Sequence, residues 1–276
     1  MEQSLYIELL KYTLTDYHRM EFGEVKPLAS NKKRSSWQFK IANLLDTVLS
    51  KLGLKLVKVV KTDQKSRYEG KDWPACADSM VGLERLNNIE YCFREVIKND
   101  IPGDFIETGV WRGGSTILMK ALLKEHNIED RTVWVADSFE GLPKPNATKY
   151  SADKGDTFHK HEELSISLET VKHNFEKYNL LDDKVQFLKG WFKDTLPMAP
   201  INQLAILRLD GDMYESTMDG LKNLYPKLSI GGYIIIDDWG DVPACTKAVA
   251  DYRKQHNINE EIIQIGWTGA YWKKEN

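Results

Sequence analysis

Cysteine is scarce: only Cys76, Cys92 and Cys245 occur in 276 residues. They form neither a disulfide framework nor a C-x-x-C pair, so a cross-linked secreted scaffold is not expected. Long apolar runs are missing as well, and none approaches the ~18 residues of a membrane span. Met1-Glu2-Gln3-Ser4 shows no basic stretch leading into an apolar one, so no secretory leader is read and a cytoplasmic protein is expected. A basic excess is lacking too: the formal net charge is −3, which argues against nucleic acid as the main partner. Repeats and low-complexity tracts are absent, and 42% apolar residues suffice for a sizeable core.

What charge imbalance there is lies near the N-terminus. Between Lys26 and Lys71 there are 12 Lys or Arg against Asp46, Asp63 and Glu69, a local +9 (12 minus 3). Within it Ile41, Leu44, Leu45, Val48, Leu49 and Leu52 recur at helical spacing, and Gly53 follows as a stop signal. An amphipathic helix packed on the body of the protein is expected, with peripheral contact to a membrane surface or an anionic substrate through its lysines as the alternative. Integral membrane association is not expected. The chain divides into an N-terminal helical region over 1–100, acting as cap, substrate or interface element, and an α/β domain over 101–276.

From Pro102 onward short apolar runs alternate with helical stretches, the pattern of βαβ units and a parallel sheet. Strands are read at Asp104–Glu107, Val133–Ala136, Val185–Leu188, Leu204–Leu209 and Gly232–Ile236. Ile262–Ile265 and Ala270–Trp272 read as a closing hairpin. The expected fold is a Rossmann-like, doubly wound, mostly parallel sheet with an antiparallel C-terminal edge and a helical N-terminal extension. Ligands of such sheets bind beyond the carboxyl ends of the strands, so chemistry is sought just after each strand.

After the first strand stands Glu107-Thr108-Gly109-Val110-Trp111-Arg112-Gly113-Gly114-Ser115. This is not the G-x-G-x-x-G of a dinucleotide site. A carboxylate at the strand end favours a ligand carrying positive charge, such as the amino-acid end of S-adenosylmethionine, although a plain tight turn would also use these glycines. After the second strand, Asp137-Ser138 offers an acid for ribose hydroxyls. After the third, Gly190 and Trp191 suit an adenine ring, or Trp191 is a core residue.

Asp210-Gly211-Asp212 follows the fourth strand and Asp237-Asp238 the fifth. Several carboxylates at adjacent strand ends would repel one another unless a hard divalent cation neutralised them, and oxygen ligands select Mg²⁺, Ca²⁺ or Mn²⁺. The alternative is that Asp212 and Asp238 cap the helices that follow. Asp212, two residues past a metal ligand, is the candidate general base. His159 and His161 have metal-ligand spacing but no third His or Cys, and the long connection from Leu142 to Lys160 reads as a lid over the cleft.

The segments Glu107–Ser115, Val133–Pro143 (VWVADSFEGLP), Lys189–Pro197, Leu207–Thr217 (LRLDGDMYEST) and Gly231–Asp238 together resemble the macrocin O-methyltransferase family over most of residues 72–275, whereas the first seventy residues match poorly. The resemblance implies a class I enzyme that moves the methyl group of S-adenosylmethionine to a hydroxyl, often on a sugar of a natural product, with Mg²⁺. It implies Asp210, Asp237 and Asp238 as metal ligands and Asp212 as base. The cofactor set becomes Glu107, Thr108, Gly109, Ser115, Asp137, Ser138, Gly190, Trp191 and Asp210. Related catechol-type enzymes place a lysine shortly after the first ligand, where this chain has Met213. The implied partner is a small-molecule, glycosylated hydroxyl acceptor, and self-association into a homo-oligomer is expected. The competing reading is a metal-dependent glycosyltransferase with Asp210 and Asp212 as its D-x-D.

Overall fold

The computed structural model describes residues 4–18, 24–27, 37–61 and 63–276. Its helices are α1 (Leu5–Leu14), α2 (Trp37–Ser50), α3 (Gln64–Glu69), α4 (Leu83–Lys98), α5 (Gly114–Glu125), α6 (Leu168–Lys177), α7 (Phe192–Thr195), α8 (Tyr214–Leu224) and α9 (Pro243–Gln255). Strands β1 (Glu24–Pro27) and β2 (Val57–Val60) form an antiparallel pair of their own. The remaining strands are β3 (Asp104–Thr108), β4 (Val133–Asp137), β5 (Val185–Lys189), β6 (Leu204–Leu209), β7 (Leu228–Ile236), β8 (Ile263–Gln264) and β9 (Ala270–Lys273).

These seven strands make one sheet in the order β5-β4-β3-β6-β7-β9-β8. β3 to β7 run parallel, while β9 is antiparallel to both β7 and β8, as the sequence pattern indicates. From β3 the chain winds first toward β5 and then back toward β7, so the order reverses between β3 and β6. A crevice opens at such a reversal.

The alternation of side chains along each strand feeds two apolar layers. Phe105, Val133, Val135, Ile206 and Ile235 face a core shared with α1, α4, α5 and α6. Ile106, Trp134, Leu207, Ile234 and Ile236 face the opposite core, shared with α8 and α9. Both faces being covered, the strands read as nearly continuous apolar runs.

The first core does not stop at residue 100. Ile7, Leu10 and Leu14 of α1 and Leu86, Ile89 and Phe93 of α4 are buried in it beside Phe105 and Leu118. Lys11 is buried with them, its Nζ donating to Glu90 Oε2 at 2.8 Å and Asn87 Oδ1 at 2.6 Å. The boundary expected near residue 100 therefore falls inside one continuous core.

The amphipathic helix forms where the spacing places it, and its chain end is as read: Gly53 has φ +71° and its N–H bonds to Ser50. Its expected packing does not occur. Ile41, Leu44, Leu45 and Val48 are all exposed, Leu44 to 66%. The sheet face that might have taken them is already covered by α1, α4 and α5.

Candidate functional site

Three strand ends place the site, and each leaves its strand through a tight turn. The turn residues Trp111, Phe139 and Asp212 have φ of 48°, 58° and 54°, a left-handed backbone unusual outside glycine. Such residues gather at functional sites, held by their surroundings. Gly109 shows why the first turn needs a glycine: a Cβ there would lie 1.7 Å from the Asp210 carbonyl oxygen, because the ends of β3 and β6 converge.

The turns surround a cleft of about 420 Å³. Of the residues expected at the site, Glu107, Gly109, Ser115, Asp137, Ser138, Gly190, Trp191, Asp210, Asp212, Asp237 and Asp238 all line it. Thr108 does not; it is buried in the sheet, and its carbonyl accepts the Asp210 N–H at 2.9 Å. Its side chain belongs to the opposite face of β3 from that of Glu107, as the two-residue period requires.

Asp137 is nearly enclosed. Its Oδ2 accepts the Val110 N–H at 2.8 Å and its Oδ1 the Phe139 N–H at 2.7 Å, so the carboxylate ties the first two turns together. Burial raises its pKa against those hydrogen bonds. Gly190 joins the same wall, its N–H bonded to the Asp137 carbonyl at 2.9 Å.

At the floor lies a group the sequence reading overlooked. Arg208, fully buried at the end of β6, contacts Glu107, Asp210 and Asp237, the Asp210 contact being 2.9 Å. Arg85 of α4 reaches Asp237 from the other side and also donates to the Gly70 carbonyl at 3.3 Å. The expectation that the carboxylates must await a metal for neutralisation is therefore corrected: two guanidiniums already meet part of their charge. Five carboxylates (Glu107, Asp210, Asp212, Asp237 and Asp238) stand against two cations, leaving a formal −3 when all are ionised.

The pKa shifts follow from this crowding. Burial pushes Glu107 up to about 8, with Arg208 opposing and Asp210 and Asp237 reinforcing the shift. Asp210 rises to about 6 through burial and Asp237. Asp212 and Asp238 rise through burial and the neighbouring carboxylates. For Arg208 burial works against the charged form, but Asp237, Glu107 and Asp210 outweigh it and hold the guanidinium charged.

Asp210, Asp237 and Asp238 each place one carboxylate oxygen so that the three lie within 4.8 Å of one another, as metal ligands would. Glu107 Oε2 is buried without a hydrogen bond, an acceptor atom left for a cationic group. Asp238 does not cap the helix after it: its Oδ2 accepts the Asp212 N–H at 2.9 Å and so fixes the left-handed turn. Nor does Asp212 cap α8, whose start is held by Asp153. That buried residue accepts the Tyr214 N–H at 2.7 Å and the Glu215 N–H at 3.2 Å.

Asp153 belongs to the long connection between β4 and α6. Leu142, Pro143, Lys144, Asn146, Phe158 and Leu164 of that connection line the cleft, in keeping with a lid. His159 and His161 join no group of three metal-ligating side chains among the described residues. Of the groups missed, Arg208 had a signal: a charge in the six-residue strand LAILRL, which is otherwise apolar and buried throughout. Arg85 and Asp153 had none, since their partners lie 152 and 61 residues away.

The model of the macrocin-O-methyltransferase (TylF) family matches residues 3–274. That match extends through the first seventy residues, where the sequence segments resemble the family poorly. Over 212 residues the chain is 52% identical to demethyldecarbamoylnovobiocin O-methyltransferase of Streptomyces niveus, covering 76% of this chain and 81% of that one. Over 214 residues it is 48% identical to mycinamicin III 3''-O-methyltransferase of Micromonospora griseorubida, covering 76% and 84%. The solved structure of the O-methyltransferase NovP superposes over 100% of both chains with a TM-score of 0.83 and 42% identity. None of these comparisons supports the glycosyltransferase alternative.

Proposed function

The chain belongs to the macrocin O-methyltransferase family, and from that premise we propose that it methylates a sugar hydroxyl of a glycosylated natural product, using S-adenosylmethionine and a divalent cation. The observation that carries this reading is the meeting of Asp210, Asp237 and Asp238 in one cleft with Glu107 and Asp137. The relatives' names point to hydroxyls of glycosides, one of them a rhamnosyl tetracenomycin. The cytoplasm is the proposed setting, and among the described residues no helix is long and apolar enough to cross a membrane. Self-association belongs to the same reading.

S-adenosylmethionine supplies the methyl group on a sulfonium, which leaves as a neutral thioether and needs no acid. Glu107 Oε2, buried beside Ser115, would take the cofactor's ammonium group. Asp137, held by the Val110 and Phe139 N–H groups and by the Ser138 hydroxyl, would orient the ribose. Gly190 and Trp191 provide the wall for the base.

Mg²⁺ fits an all-oxygen donor set carrying excess negative charge, and Asp210, Asp237 and Asp238 would hold it. When bound there, it would supply Lewis acidity that makes the acceptor hydroxyl's proton more acidic. Asp212, which lines the cleft beside Asp210 and Asp238, would take that proton. Arg208, on Asp210 and Asp237, and Arg85, on Asp237, would keep those carboxylates oriented. Most of the rate gain available here is positioning, which brings oxygen and methyl carbon into line.

The reading is tested by titrating the protein calorimetrically with S-adenosylmethionine, with and without Mg²⁺. Micromolar binding of the cofactor supports it; absence of binding overturns it.

A further inference from the structure

Sheet order puts β4 and β5 on one side of the Asp210 and Asp237 strand ends, and the β8–β9 turn on the other. With the cofactor over β3 to β5, the far side is left for whatever part of the acceptor extends beyond its reacting hydroxyl. That side is aromatic. Trp267, in the β8–β9 turn, lines the cleft, and its Nε1–H donates to the Glu69 carbonyl at 2.7 Å. Next to it Thr268 Oγ1 donates to the Asp237 carbonyl at 3.0 Å, which pins the turn beside a candidate metal ligand. Trp73 lines the same cleft, is 45% exposed, and tilts against His161 of the lid with 5.5 Å between ring centroids. The segment carrying Trp73 is held to the site by Arg85 through Gly70. Met80, Val81 and Val242 add apolar surface.

The charges at this end disfavour a phosphate. Asp238 and Asp241 line the cleft, Asp72 in it is paired with Arg67, and its Lys71 is paired with Glu69. Lys71 Nζ stands over one face of the Trp267 ring, 5.6 Å from its centroid, so with its N–H bonded the indole offers its other face and its edge, and fixing it beforehand lowers the entropy lost on binding.

We propose that Trp73 and Trp267 form a subsite for an apolar, aromatic aglycone, holding a glycoside whose sugar presents its hydroxyl to Asp210, Asp237 and Asp238. This rests on the sugar-methylating reading above. Such a site takes a sugar already joined to its aglycone in preference to a nucleotide-linked one, so a glycosyl transfer would supply the substrate.

The test is calorimetry on the full chain with S-adenosylhomocysteine and Mg²⁺ present. The probes are 4-nitrophenyl α-L-rhamnopyranoside and methyl α-L-rhamnopyranoside, the sugar being taken from a relative's name. The wild-type protein is expected to bind the aryl glycoside about tenfold more tightly than the methyl glycoside, two aromatic contacts being worth about that factor. In Trp73→Ala or Trp267→Ala the ratio should fall to about twofold, while Trp267→Phe keeps most of it. Each variant's thermal midpoint checks its folding, and the exposed Trp73 carries the test if Trp267→Ala does not fold. An aryl preference that is absent, or unchanged in the variants, overturns the subsite and leaves the sugar reading standing. Failure of both glycosides to bind the wild-type protein overturns both.

Discussion

Arg208 is the residue on which the geometry of the site turns. Removing its guanidinium would leave Glu107, Asp210 and Asp237 facing one another in a buried floor. Arg208→Met is therefore expected to lower the stability of the ligand-free protein by about 3–5 kcal/mol, read from urea unfolding. A loss under 1 kcal/mol would show that the carboxylates relax by protonation instead. Asp238 makes a cleaner probe of the proposed metal. Its one hydrogen bond, to the Asp212 N–H, can be kept by an amide oxygen. Asp238→Asn should weaken Mn²⁺ binding by about tenfold or more and leave S-adenosylmethionine affinity within about twofold, as expected of a group that faces the ion and not the cofactor. Equal loss of both affinities would remove Asp238 from the ligand set.

Among the elements, the lid and α8 are joined by Asp153 and by the ring contact of Tyr150 with Tyr214, 5.7 Å between centroids. Met213, at the position before α8, gives no side-chain cap, and Asp153 supplies it from 61 residues away. Asp153→Ala should cost about 1 kcal/mol, the usual value of a helix cap. Amide exchange is expected to quicken at Tyr214 and Glu215 and across the lid; quickening confined to α8 would mean that the lid is anchored elsewhere. The Trp111 Nε1–H bond to the Glu163 carbonyl at 2.9 Å is the natural second anchor. The elements themselves were largely legible: β6 was read to its last residue and the βα periodicity fixed the rest, because local pattern and burial agree there. The destination of α2 was not. Amphipathic spacing says that a helix has an apolar face, but not which surface remains free to receive it.

At the scale of the molecule, the acidic cleft makes stability depend on pH. Glu107 and Asp210 are held at about 8 and about 6 in the folded state, above their ordinary values, through burial. As pH rises the unfolded chain releases these protons first, so the folded state loses relative stability between about 4 and 8. The ligand-free midpoint is expected to fall from pH 5 to pH 8 in scanning calorimetry. On the proposed reading, Mg²⁺ with S-adenosylmethionine should flatten that fall, since both would bind the ionised groups. A midpoint independent of pH would mean that the carboxylates are better compensated than their contacts indicate. The exposed apolar side chains of α1 and α2, Leu5, Leu9, Leu44 and Val48 among them, accord with self-association. Light scattering is expected to give a multiple of the 31.8 kDa chain mass; a monomer would reject that expectation.

The sequence by itself determined the strands, the turns that end them and the carboxylates those turns carry, since all of these are written in residues close together in the chain. Glu107, Asp137, Asp210, Asp237 and Asp238 can be singled out because a parallel sheet brings its carboxyl ends to one edge whatever else the chain does, and in the fold they line one cleft. Only the tertiary structure decided what stands opposite them. Arg85 meets Asp237, Asp153 meets α8, and Trp267 meets Glu69 across 198 residues. No local periodicity encodes such pairings, for they arise only when layers pack and each buried charge or N–H must find a partner in whatever the packing brings near.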